Sequence, residues 1–202
     1  REIFGTPSYI PQVETTPFNP STPYGCAKAF ATHLVRTYRD SQDLFCCNAI
    51  CYNHESPRRG ENFVTRKITT AAARIAAGLQ KKVGLGDLSA ARDWGYAGDY
   101  VEAMWRMLQQ DAPNDYVLAT GESHSVTDWL DIAFARAGLR WEEHVESDNS
   151  MFRSTDPCML LGNPHKAETE LGWKRTVEFE ELVDLMFDAD QERVFHELEK
   201  TG

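Results

Sequence analysis

Apolar residues recur at three- and four-residue steps through Ala27, Phe30, Ala31, Leu34, Val35 and Tyr38. That period predicts an amphipathic helix with this stripe packed. Ser21 or Thr22 can cap it, and Pro23 suits its first turn. The run Leu44 to Tyr52 has no such period and reads as a buried strand. Helical spacing returns from about residue 64 to 79, on Ile68, Ala71, Ala72, Ile75 and Leu79. A short strand is expected near 82–86, ending at Gly86-Asp87. A helix over 97–110 places Tyr100, Val101, Met104, Trp105 and Leu108 at core spacing. A strand at 115–119, a helix at 125–137 closed by Gly138, and a strand near 140–145 follow. A polar loop at 146–157 precedes helices near 164–171 and 178–198, and the Lys/Glu-rich end is expected to fray. Alternating helices and strands of this kind indicate an α/β fold with a parallel sheet. There is no internal repeat.

Composition narrows the class. The chain has 202 residues and 42% hydrophobic content, enough for a substantial core. No apolar run is long enough to span a bilayer, and Arg1-Glu2-Ile3 has no signal-peptide character. The expectation is a soluble cytoplasmic protein with no membrane partner. A formal net charge of -10 argues against a nucleic-acid partner. The five cysteines are odd in number and contain no Cys-x-x-Cys, so neither a disulfide framework nor a zinc site is indicated. Cys46, Cys47 and Cys51 read as packed thiols of the strand. The six histidines lack ligand spacing.

Two local features carry candidate chemistry. Arg58, Arg59, Arg66 and Lys67 place four cations within ten residues of an acidic chain. Guanidinium forks beside a helix start suit a diphosphate. A solvated basic loop bridged to Glu55 and Glu61 accounts for the same charges. Upstream, Tyr24 and Lys28 form a Tyr-x-x-x-Lys pair, which lies on one face of a helix. An ammonium beside a phenol lowers the phenol pKa, as a general base requires. The spacing alone also arises by chance on amphipathic helices.

Together these residues resemble the GDP-mannose 4,6-dehydratases, extended short-chain dehydrogenase/reductases. The likeness runs from Glu2 to about Asp188. Its signposts are Glu2-Ile3-Phe4-Gly5, Thr15 to Pro20, Tyr24-x-x-x-Lys28, Asn53 to Lys67, Gly84 to Leu88, Arg92-Asp93-Trp94-Gly95, Leu161 to Pro164 and Leu171-Gly172-Trp173. The run from Asn53 to Glu61 is the most specific, since related epimerases and dTDP-glucose dehydratases usually carry a shorter Asn-x-Tyr-Gly-Pro there. The resemblance implies the C-terminal part of a Rossmann-like parallel sheet, residues 1–60, with a smaller α/β substrate-binding lobe. That lobe occupies most of 61–202, with interleaved segments returning to the sheet.

The resemblance also implies roles. Tyr24 is the expected base on the sugar 4-hydroxyl as hydride leaves C4 for NADP, and Lys28 supports it and binds the nicotinamide ribose. Glu2 takes the C5 proton, water leaves from C6, and hydride returns there. The product is GDP-4-dehydro-6-deoxy-mannose, a hydro-lyase outcome and the first step toward GDP-fucose. His54 and Arg59 match cofactor positions. Asn53, Val64, Lys67, Arg92 and Arg153 match substrate positions. GDP-mannose is the expected substrate, and a homodimer or homotetramer the expected assembly at full length. Asn53 as a turn cap and Arg92 paired to Asp93 are the structural alternatives.

The chain departs from the pattern in places. Met151 to Cys158 replaces a Tyr-Phe-Arg-Pro-Thr-Glu-Val-Asp run, keeping only Arg153 as a diphosphate candidate. Arg1 stands where the family usually has Ser, and the sugar-holding Ser/Thr two positions before Glu2 is not in the sequence. No Gly-x-Gly-x-x-Gly follows a strand, so the turn that holds a dinucleotide pyrophosphate is missing. The chain reads as a fragment that starts at the end of a strand and lacks roughly four βα units, on the order of 120 residues. Other expectations are a different nucleotide-sugar dehydratase or epimerase, or a non-catalytic truncated product.

Overall fold

The computed structural model describes residues 1–148 and 160–201. In chain order the elements are α1 (Pro23–Gln42), β1 (Asn48–Cys51), β2 (Asn53–Glu55), α2 (Val64–Ala76), β3 (Val83–Leu85), β4 (Ala91–Arg92), β5 (Trp94–Tyr96) and α3 (Ala97–Met107). Then come β6 (Asp115–Leu118), β7 (His124–Ser125), α4 (Val126–Arg136), a 3-10 turn (Trp141–Glu143), β8 (Val145–Ser147), α5 (His165–Leu171) and α6 (Phe179–Thr201). The α/β reading holds, and β1 pairs with β6, and β3 with β8, in parallel.

The chain divides into two compact units. The first comprises Arg1–His54, Arg92–Ser123 and Thr155–Thr176. Its β1–β6 pair sets Ile50 beside Val117 and Cys51 beside Leu118. One cluster joins Ile3, Phe4, Ala29, Ile50, Tyr52, Val117, Ala119 and Leu160. A second joins Tyr100, Ala103 and Met107 of α3, Tyr116 and Leu118 of β6, and Ala167, Leu171 and Trp173, with Cys47 and Cys51 against it. At the start of β6, Asp115 receives hydrogen bonds from Arg36 (2.6 Å), Arg39 and Asn48. These bonds anchor the far end of α1 to the sheet.

The second unit comprises Glu55–Ala91, His124–Ser154 and Val177–Gly202. Here α2, α4 and α6 pack on one another. The buried stripes are Ile68, Ala71, Ala72 and Ile75 on α2, Trp129, Leu130, Ala133 and Phe134 on α4, and Leu182, Val183, Met186 and Phe187 on α6. Their three- and four-residue steps are the helical period expected of packed faces. A Ser125–Asp128 capping box opens α4.

The structure corrects several expectations. The strand drawn over 44–52 is β1 alone, and Leu44 and Phe45 are exposed. Cys46, Cys47 and Cys51 are half-buried, with Cys46 Sγ 3.4 Å from the Val35 carbonyl. Asn53 lies in β2, not in a loop. The strand placed at 140–145 is a 3-10 turn followed by β8. Residues 2–6 form turns and bends instead of a strand end, although the Arg1 nitrogen donates to the Cys51 carbonyl at 2.8 Å. The apolar stripe of α1 is not packed either. Its buried residues are Gly25, Ala29 and Thr32, whereas Phe30 is 68% exposed. Val101 and Trp105 of α3, and Leu108 at its carboxyl-terminal cap, are likewise exposed. Small residues give α1 a close approach to the sheet, which leaves its large apolar side chains on the opposite face.

Candidate active site

Tyr24 sits in the first turn of α1. Thr22 caps this turn, its hydroxyl accepting the Gly25 N–H at 3.0 Å, and Pro23 provides the fixed φ suited to the start. Lys28 lies one turn on, with Nζ 5.7 Å from the Tyr24 ring centroid. The pair therefore shares a face, as the spacing predicts. Tyr24 is 61% exposed, so its ring contributes little packing in this chain.

Gly25 brings Glu2 to this turn. A Cβ on Gly25 would lie 2.6 Å from the Glu2 carbonyl oxygen. The missing side chain lets the start of α1 press on the Glu2 backbone. On the same side, Asn19 N–H donates to the Ile3 carbonyl at 3.1 Å. The Glu2 carboxylate forms an ion pair with Arg1 at 3.0 Å.

His54 Nδ1 donates to the Tyr52 carbonyl at 2.9 Å, since a carbonyl can only accept. Its ring stands 5.4 Å from that of Tyr100. Asn53, beside it in β2, is half-buried. Arg92 belongs to β4 and is half-buried too. The neighbouring Asp93 is turned inward. It accepts from Thr120 N–H and hydroxyl (2.9 and 2.8 Å), Gly121 N–H (3.1 Å) and Gly162 N–H (3.4 Å). Burial raises the Asp93 pKa against the lowering effect of those bonds. Asp93 thus ties together three segments of its unit.

Arg59, Val64 and Lys67 belong to the second unit. Arg59 stacks its guanidinium 3.6 Å over the Phe63 ring, with Nε 3.2 Å from a Glu55 carboxylate oxygen. Glu55 is buried and also accepts the Thr65 hydroxyl at 2.6 Å. Burial raises its pKa, while Thr65 and Arg59 act to lower it. The expected bridge from the basic loop to Glu55 is thus present. Val64 opens α2 and Lys67 lies in its first turn, its backbone N–H bonded to the Phe63 carbonyl at 2.8 Å. Arg153 and the altered Met151–Cys158 run lie outside the described residues.

Sequence reasoning named Glu55 as a bridge to the basic loop but did not single out Thr65, Arg66 or Asp190 as its supports. Arg66 was visible only as one more cation. Its partner Asp190 lies 124 residues away and has no local signature. An acidic residue on the buried stripe of α6, in step with Met186 and Val194, was the available signal.

A family model described as GDP-mannose 4,6 dehydratase matches residues 1–186. "GDP-mannose 4,6 dehydratase 1" of Arabidopsis thaliana is 56% identical over 192 residues, covering 95% of this chain and 53% of that protein. The human "GDP-mannose 4,6 dehydratase" is 46% identical over 208 residues, covering 95% of this chain and 56% of the relative. The chain therefore spans about half the length of these curated relatives. Among solved structures, RMD from Pseudomonas aeruginosa complexed with NADPH superimposes with a TM-score of 0.87 at 19% identity, over 95% of this chain and 64% of that one. UDP-glucose 4-epimerase from Thermus thermophilus in complex with NAD gives 0.79 at 27% identity, over 94% and 61%. The first of these supports the fold alone. The motif run from Asn53 to Lys67, the Tyr24–Lys28 pair on its capped helix and the match over residues 1–186 agree: this chain belongs to the GDP-mannose 4,6-dehydratase family.

Proposed function

We propose that this chain is the substrate-side half of a GDP-mannose 4,6-dehydratase, which converts GDP-D-mannose to GDP-4-dehydro-6-deoxy-D-mannose. The observation that carries the reading is the first turn of α1. There Tyr24 and Lys28 share a face, and the turn rests on the backbone of Glu2 through Gly25. Tyr24 Oη accepts the 4-hydroxyl proton of the sugar. The Glu2 carboxylate removes the proton from C5, which the new 4-ketone acidifies, and the C6 hydroxyl departs as water. Lys28 sets a positive charge beside the phenol and the cofactor ribose.

A bound NADP would supply the site that takes hydride from C4 and returns it to C6. The residues fit it in part. His54, with Nδ1 committed to the Tyr52 carbonyl, keeps Nε2 for a polar ligand group, and Arg59 offers a fixed guanidinium. The pyrophosphate turn is not in the sequence. Of the cofactor residues, Tyr24, Lys28 and His54 belong to the first unit and Arg59 to the second; Val64 and Lys67 of the second unit bind GDP-mannose. Asn53 and Arg92 bind the substrate as well, as does Arg153.

The assembly is a homodimer or homotetramer when the protein is full length, which the exposed apolar faces of α1 and α3 support. The compartment is the cytoplasm, in keeping with the four free cysteines among the described residues. No helix among those residues is long and apolar enough to cross a membrane. The test is direct. Joined to the amino-terminal half of the Arabidopsis relative, the chain should convert GDP-mannose to a 4-keto product, followed by NMR. Tyr24→Phe should slow turnover by about 10²–10⁴ while leaving GDP-mannose binding near normal. Wild-type turnover by that variant would remove Tyr24 from the role of base.

A further inference from the structure

We infer that Arg66, held by Asp190, is a positioning residue for the basic loop of the second unit. Arg66 is only 5% exposed and Asp190 only 1%. Arg66 Nε and Nη2 reach the Asp190 carboxylate at 2.7–2.8 Å. Its Nη1 donates to two loop carbonyls, Pro57 at 2.9 Å and Arg59 at 2.8 Å. Arg193 repeats the arrangement from α6, with one nitrogen on Asp190 (2.8 Å) and the other on the Pro57 carbonyl (2.7 Å). Thr69 and Thr70 complete the donors around Asp190, at 2.7 and 3.1 Å.

Sealing α2 against α6 does not require this arrangement. A buried ion pair seldom stabilises a fold more than apolar side chains of similar volume, and apolar residues flank it on both helices. What apolar residues cannot do is satisfy two inward-turned carbonyls of a segment outside any helix or strand. The planar guanidinium can, because its donors point in fixed directions. Arg59 is thereby held at both ends. Arg66 fixes its carbonyl, while Glu55 and Phe63 fix its guanidinium. Glu55 is itself held by Thr65, the α2 residue before Arg66. The first turn of α2 thus presets the direction in which Arg59 meets an anionic ligand, and α6 supplies the anchor. Preorganisation of this kind raises affinity without adding a contact.

Hydrogen exchange on the 202-residue chain tests the clamp without any ligand. Asp190→Asn should speed exchange at the Arg59 and Phe63 amides, which close turns on Ser56 and Gly60, by about tenfold or more. Amides of α4 should keep their wild-type rates. Unchanged loop amides, or loop and α4 amides accelerating by the same factor, would overturn the proposal. Arg193→Ala removes one arm of the clamp from a half-exposed side chain. It should act in the same direction, and it decides the matter if Asp190→Asn does not fold.

A second arm rests on the cofactor reading of Arg59. In the protein joined to an amino-terminal half, Asp190→Asn should weaken NADP about tenfold by calorimetry. Combined with Arg59→Ala, it should add almost nothing, because the clamp acts through Arg59. Full additivity would refute that route. If Arg59→Ala alone leaves NADP affinity unchanged, the cofactor reading of Arg59 fails, while the exchange data still judge the clamp.

Discussion

Thr22 contributes one hydroxyl to the start of α1, and its bond to Gly25 N–H satisfies a helix donor that would otherwise need water. Thr22→Ala should therefore cost about 1 kcal/mol, read as a lower urea midpoint with an unchanged slope. Two buried carboxylates are expected to respond to pH in opposite senses. Burial would raise the Asp115 pKa, but hydrogen bonds from Arg36, Arg39 and Asn48 outweigh it, and the pKa is lowered. A lowered folded-state pKa gives stability that is present above the unfolded value of about 4 and lost as pH falls through the folded value. Asp115→Asn should thus flatten the loss of stability on the acid side in urea titrations at stepped pH. Glu55 is the reverse case, its pKa raised by burial. The stability it gives is full below about pH 4 and is lost as pH rises through its folded value. The stability of Glu55→Gln relative to the parent should therefore climb as pH increases from about 4 toward neutral. A falling difference over that range would contradict the burial argument. The Thr22 cap was legible from the sequence, because capping is a local signal, and Glu55 was legible only as a bridge to the nearby basic loop. The setting of Glu55 and Asp115 depends on what surrounds them.

At the level of elements, the hydrophobic period located the helices well. It did not reveal which faces this chain covers. α2 and α1 show the contrast. The stripe of α2 meets α4 and α6, and Ile68 is fully buried. Ile68→Ala should cost about 2–5 kcal/mol in unfolding experiments. On α1 the stripe stands in solvent and Gly25, Ala29 and Thr32 make the contact. Phe30→Ala should change the stability of the isolated chain by less than about 0.5 kcal/mol. Sedimentation of Leu34→Glu and Trp105→Glu variants reads the other consequence. If the exposed faces are sticky, both should reduce self-association of the chain, and unchanged sedimentation would set that aside. Strand ends were read less well than helices. Leu44 to Cys47 is apolar enough for a strand but finds no partner in a ladder, and hydrogen-bonded pairing defines a strand.

For the whole molecule, the decisive expectation is that the isolated chain neither turns over GDP-mannose nor retains NADP. The motive is the missing pyrophosphate turn. Micromolar NADP binding measured by calorimetry would overturn it. In the protein joined to an amino-terminal half, Arg59→Ala should weaken NADP more than GDP-mannose, and Lys67→Ala should do the reverse. Each charge-assisted contact is worth roughly 1.5–3 kcal/mol, or one to two decades in affinity. Equal losses below about threefold for both ligands would instead mark solvated surface charges.

The α/β alternation, the capped start of α1, the Tyr24–Lys28 face and the family motif were all determined by residues close together in the chain. Periodicity, capping and motif spacing are local properties, so a linear reading recovers them. Tertiary structure alone decided the rest. It turned Asp93 inward onto Thr120, Gly121 and Gly162, and it set Arg36 and Arg39 on Asp115. It also joined Arg66 to an aspartate 124 residues distant. A buried charge must find its partner wherever packing brings one, and that choice leaves almost no trace in the residues beside it.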